Sequence, residues 1–122
     1  MKIKITLSIV LLTLSGVMLK SQSDTYVIKK TPFSSGRYDE FAPVFYKNGL
    51  VFGSNRGSSS LVAYSDDTGK GLVSLFFVEQ DRKGKWKKPK LFSKDLNTQF
   101  NDGPATFNEK EDNIYYSRNM FI

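Results

Sequence analysis

Asp39-Glu40-Phe41-Ala42-Pro43-Val44-Phe45, followed by Asn48-Gly49-Leu50-Val51-Phe52-Gly53-Ser54-Asn55-Arg56, decides the reading of this 122-residue chain, because much of it recurs about sixty residues later. The second copy runs Asn101-Asp102-Gly103-Pro104-Ala105-Thr106-Phe107, then Asp112-Asn113-Ile114-Tyr115-Tyr116-Ser117-Arg118-Asn119. Phe33 and Phe92 lie 59 residues apart, Phe45 and Phe107 62, and Leu50 and Ile114 64. Small loop insertions account for that drift. A period of this size belongs to blades, solenoid turns or arrays, each unit being too small to bury its own apolar face. The chain holds one full unit and the start of a second, which predicts a piece of a larger architecture.

Working outward, every patterned segment reads as β. Asn48-Gly49 between two apolar runs signals a tight hairpin, because both residues tolerate positive φ. Leu72–Gln80 is rich in β-branched and aromatic residues (Val73, Phe76, Phe77, Val78). Asp81-Arg82-Lys83-Gly84 turns the chain, and Lys85–Lys88 with Lys90–Phe92 return antiparallel. Two successive hairpins make four short strands, the size of one propeller blade. Tyr26-Val27-Ile28 is a further β-prone run, ended by Thr31-Pro32. The polar segment Gly57–Gly71 reads as a mobile surface loop with a possible short strand at Leu61–Tyr64.

The N-terminus carries a different signal. Met1–Ser23 has a basic start (Lys2, Lys4), an apolar run Ile5–Leu19 and a small-polar end, the three-part pattern of a secretory signal peptide cut at Ser23/Asp24. The run is interrupted by Thr6, Ser8, Thr13, Ser15 and Gly16, and is shorter than the roughly 20 residues a membrane span needs. The processed chain is thus expected not to span the membrane. Removing Lys2, Lys4 and Lys20 lowers the net charge from +6 to +3, with 15 basic and 12 acidic residues left. That balance, with export, argues against a nucleic-acid partner.

Catalytic candidates are few. Histidine and cysteine are absent, which rules out Ser-His, Cys-His and His-metal sites within the chain, as well as disulfides. The paired acids Asp39-Glu40 and Asp66-Asp67 are adjacent in sequence, and neighbouring strand residues point to opposite faces, so turn and capping roles are expected of them. No cofactor and no metal are expected. Arg82–Lys90 places six basic residues around Trp86. Lys85, Trp86, Lys87 and Lys88 thus form a possible binding surface for an acidic glycan or headgroup. The alternative is a solvated hairpin whose lysines discourage edge-to-edge pairing while Trp86 packs inward, and the composition favours it.

The paired segments resemble the TolB-type WD40-like β-propeller repeat. The resemblance is carried by Asp39, Glu40, Pro43, Phe45, Asn48, Gly49, Phe52, Ser54 and Arg56 in the first copy, and by Asp102, Pro104, Phe107, Tyr116 and Ser117 in the second. In the second copy Asn113 replaces the turn glycine, and Arg118 follows Ser117 directly, so the Ser-x-Arg spacing is not kept. The resemblance implies an all-β fold of about one and a half four-stranded blades over residues 24–122, the first over about 38–97 and the second beginning near 100. Phe45, Phe52, Phe107 and Tyr116 are expected to pack between neighbouring blades, and Arg56 to pair with Asp39 or Glu40. OmpA-family envelope proteins of Gram-negative bacteria carry such propellers ahead of a C-terminal peptidoglycan-binding domain. This implies a non-catalytic scaffold in the periplasm or at the outer membrane, with envelope proteins as partners. Peptidoglycan binding belongs to that C-terminal domain and is not expected of residues 24–122.

Two other readings stay open. Ser65-Asp66-Asp67-Thr68-Gly69 resembles the Asp-box of sialidase-type propellers, with Leu72 in place of the Trp, which makes a propeller glycoside hydrolase the enzyme alternative. The third is a surface-binding module using Trp86 and its lysines. An isolated blade and a half is expected to fold poorly, aggregate, or close a ring by assembling several copies.

Overall fold

The structure is a computed structural model that describes residues 25–57 and 64–120. The expected signal peptide and residues 61–63 of the expected short strand Leu61–Tyr64 lie outside the described residues. The fold is all-β, with no helix among the described residues. Strands β1 (Glu40–Tyr46), β2 (Gly49–Ser54), β3 (Ser74–Glu79) and β4 (Lys90–Leu91) form an antiparallel meander in the order β1-β2-β3-β4. A second sheet pairs β5 (Asp102–Phe107) with β6 (Ile114–Arg118). No barrel closes.

Opposed residues of paired strands share a face, and alternate residues change face. This gives the first sheet two distinct sides. Its front carries Leu50 and Phe52 of β2 opposite Val78 and Phe76 of β3, and Phe33, Trp86 and Leu91 pack on them. Phe33 stacks on Phe52 at 5.7 Å between ring centroids and meets Trp86 edge-on at 5.3 Å. The back carries Val51, Leu75 and Phe77, and the second sheet lies against it. There Tyr46 lies over Phe107 at 4.3 Å, with Phe92 edge-on to both. Val51, Phe52, Leu75, Phe76 and Val78 are the buried apolar core.

The first hairpin is present, but its turn is centred one residue earlier than Asn48-Gly49 predicts. Tyr46 pairs with Gly49, so Lys47 and Asn48 form the loop, and Lys47 takes the positive φ. Gly49 opens β2 and is required for another reason. A Cβ there would stand 2.1 Å from the Val78 carbonyl oxygen and 2.8 Å from a Phe77 ring carbon. Close strand approach, not turn conformation, fixes this glycine. Pro43 sits inside β1 at a bulge where the register shifts between Phe41 and Val44, on an edge strand, where a missing N–H is tolerated.

Two further expectations are corrected. Within the segment read as a mobile loop, residues 64–72 close a small hairpin, with Ser65 bridging Gly71 and the Leu72 amide donating to the Tyr64 carbonyl. Tyr26, Val27 and Ile28 join no strand and stand almost fully exposed.

Candidate functional site

The two hairpins build the same device at their open ends. In the first, the Glu40 carboxylate accepts from the Ser34 hydroxyl at 2.5 Å, the Ser35 amide at 3.2 Å and the Arg56 guanidinium. Arg56 also donates to Ser54 Oγ and lies over the Phe52 and Phe76 rings, so the pair is mostly shielded from water. In the second, the fully buried Asp102 accepts from the Thr98 hydroxyl at 2.8 Å, the Thr98 amide at 3.2 Å and Arg118 Nε at 2.5 Å. Both arginines lie sixteen residues after their acid. The residue before each acid repeats too: the Asp39 amide donates to Asn55 Oδ1 at 2.8 Å, and the Asn101 amide to Asn119 Oδ1 at 2.7 Å.

The lost Ser-x-Arg spacing thereby finds its explanation. Glu40 is paired across the strands with Ser54, and Asp102 with Arg118. Arg118 thus holds the place of Ser54, directly opposite the acid, and meets the carboxylate from there. Asp102 in turn holds Arg118 above its ordinary value, chiefly through their hydrogen bond. The second clasp also joins the sheets: the Asp102 amide donates to the Val73 carbonyl, and the Val73 amide to Asn101 Oδ1.

A turn repeats as well, in copies fifteen residues apart. Asp66 Oδ1 accepts from the Thr68 amide, the Thr68 hydroxyl and the Lys70 amide. Asp81 Oδ1 accepts from the Lys83 and Lys85 amides, and Gly69 and Gly84 both take positive φ. Asp-x-x-Gly-Lys at 66–70 and at 81–85 is the readable signal: a side chain satisfies the turn amides while glycine supplies the left-handed residue. Asn108 makes the corresponding turn with Glu111 at φ 55. The Thr68 hydroxyl, then the Lys70 amide, hold Asp66 below the ordinary aspartate range. Its carboxylate serves its own turn.

The other expected residues disperse. Asp39 points away from Glu40, toward Lys70 at 2.7 Å and the Asn55 amide nitrogen at 3.2 Å. Asn48 donates to Glu79 at 3.0 Å, and Lys87 Nζ stands 2.9 Å from the same carboxylate; Lys87 first and Asn48 second hold Glu79 below its ordinary value. Phe107 packs between the sheets as expected, whereas Phe45 is 81% exposed and Phe52 fills the front of the first sheet. Tyr116 is only partly covered, beneath Arg118, while Ser117 and Pro104 are exposed. Trp86 packs inward on Phe33, with Lys85 and Lys88 left in solvent. A groove of 710 Å³ runs between Phe45 and Trp86, bordered by Lys47, Arg82 and Lys87 and by Glu79 and Asp81. A smaller hollow of 300 Å³ lies beside Arg56, Tyr38 and Asn97. The groove thus joins two aromatic walls with a border of both charges.

In comparison with known proteins, no family model, no curated protein and no solved structure matches this chain.

Proposed function

We propose that the chain is a non-catalytic interaction module of the bacterial cell envelope, exported by its N-terminal signal peptide and built from TolB-type β-propeller repeats like those of OmpA-family proteins. One observation carries the reading. Two hairpins, each clasped by an acid and an arginine at the same separation, stack front to back through Tyr46 and Phe107. Repetition of one β unit with face-to-face burial is what blades require. The identified carboxylates serve architecture: Glu40 and Asp102 hold clasps, and Asp66 and Asp81 hold turns. Asp66, within the segment that resembles the Asp-box of the glycoside hydrolase alternative, is engaged by its own turn.

The test is expression of the full chain in a Gram-negative host, followed by fractionation, intact mass and crosslinking in the envelope. The proposal expects a product cut at Ser23/Asp24, outside the cytoplasm and crosslinked to envelope proteins. An uncut cytoplasmic product, or an exported one that captures no envelope protein, overturns it.

A further inference from the structure

By strand register, Phe45 opposite Leu50 in the first sheet corresponds to Phe107 opposite Ile114 in the second. Val51 then corresponds to Tyr115 and Phe52 to Tyr116, since β2 and β6 alternate faces in step. Phe107, on the front of the second sheet, is covered by Tyr46 and Phe92 of the first unit. Its counterpart Phe45, on the front of the first sheet, is bare. Val51, on the back of the first sheet, is fully buried, whereas its counterpart Tyr115 is 61% exposed. The molecule thus contains one completed front-to-back interface and, at its two ends, the unmatched halves of another: the Phe45 part of the first sheet's front, outside the patch that Phe33, Trp86 and Leu91 cover, and the Tyr115 face of the second sheet.

We infer that these halves belong together, so that the back of the second sheet of one copy docks on the front of the first sheet of the next. Charge supports this choice of occupant. The groove beside Phe45 is bordered by Lys47, Arg82 and Lys87 against Glu79 and Asp81, three positive charges to two negative. The β5–β6 turn, at the same end of the second sheet, carries Glu109, Glu111 and Asp112 against Lys110. Within one copy that turn already meets the β1–β2 turn, the Lys47 amide donating to Glu111 Oε1 at 2.9 Å. Repeating the same step between copies brings an acidic turn to a groove with one surplus positive charge, at Lys47 and Arg82 rather than at the Glu79-paired Lys87. The contact is heterologous, so it propagates to a closed ring or an open filament rather than stopping at a symmetric pair. The inference does not depend on export or on an envelope partner.

The test uses the full chain, purified as produced, in light scattering across a concentration series and a salt series. The expected result is concentration-dependent association that weakens as salt rises, since exposed charges are screened. Phe45→Asp and Tyr115→Asp are each expected to weaken it by about tenfold or more by placing a charge in an apolar contact. Both positions are exposed in the single copy, so circular dichroism of either variant should match the parent. The chain has no cysteine, which makes crosslinking specific. A mixture of Phe45→Cys and Tyr115→Cys chains should form mixed disulfide dimers faster than either variant forms its own. A monomer at every concentration overturns the inference. So does preferential self-pairing of Phe45→Cys, which signals a symmetric contact, and so does aggregation that both Asp variants leave unchanged.

Discussion

The strands β2 and β6 carry nearly the same kind of sequence, Leu-Val-Phe-Gly-Ser against Ile-Tyr-Tyr-Ser-Arg, and meet opposite fates. β2 is buried at five of its six positions, and β6 at none. β2 is paired on both edges and lies between the Phe33 layer in front and the second sheet behind. β6 has one partner strand, and of its sheet only β5 lies against the first sheet. In a repeat architecture, burial is therefore a property of the neighbour as much as of the side chain. The apolar pattern states which residues are fit to be buried; the stack decides which of them are.

That comparison can be broken most directly by truncation. Leu75 is buried at the sheet–sheet interface, and Leu75→Ala should destabilise the fold by about 2–5 kcal/mol. Tyr115→Ala removes a larger side chain from the bare face and should stay within about 0.5 kcal/mol. Urea unfolding of both variants checks the contrast, and equal losses would mean that the second sheet is covered in solution.

The two clasps sharpen the comparison. Asp102 is fully enclosed and ties β5 to β6 and to the first sheet, so Asp102→Ala should cost about 3 kcal/mol. Glu40→Ala touches a clasp at the edge of the first sheet and should cost less, by the same unfolding measurement. Gly49→Ala follows at about 1–3 kcal/mol, because the added methyl meets the backbone of β3, which cannot rotate away. An unchanged melting temperature would mean that β2 and β3 are further apart at that end.

Acidification is the smallest effect. Asp66 and Glu79 both titrate lower in the folded chain than in the unfolded one. Their contribution is thus complete above the ordinary carboxylate range and is lost as pH falls through and below it. Asp66 is exposed and Glu79 stands half-buried at the very end of β3, so the loss should be local: amide exchange at Thr68 and Lys70 should quicken on acidification while the central amides of β2 and β3 stay protected.

Much of this arrangement was legible in the sequence. The repeat, the two hairpins, the return of the chain through Trp86 and the Arg56–Glu40 pair all follow from residue type and spacing. What was not legible depended on through-space neighbours. Asn48-Gly49 marked a hairpin correctly, but nothing local reveals that Gly49 is pressed against Val78. Phe45 and Phe107 are equivalent in pattern, and only the presence of Tyr46 and Phe92 in front of one of them separates their burial. Arg118 looked displaced because linear spacing does not show which residue stands across a hairpin from Asp102. The Asp-x-x-Gly-Lys turns are the exception: they were readable, as two copies fifteen residues apart. Tyr26-Val27-Ile28 has strand-forming residues and no partner, so propensity alone misassigned it.

The central claim is that one sheet is enclosed by its neighbours while its repeat stands half open. Native-state hydrogen exchange, at a dilution where light scattering reports a single copy, tests it most directly. The account predicts slow exchange at the core amides of β2 and β3, and much faster exchange along β6. Equal protection of the two hairpins in the single copy would contradict it.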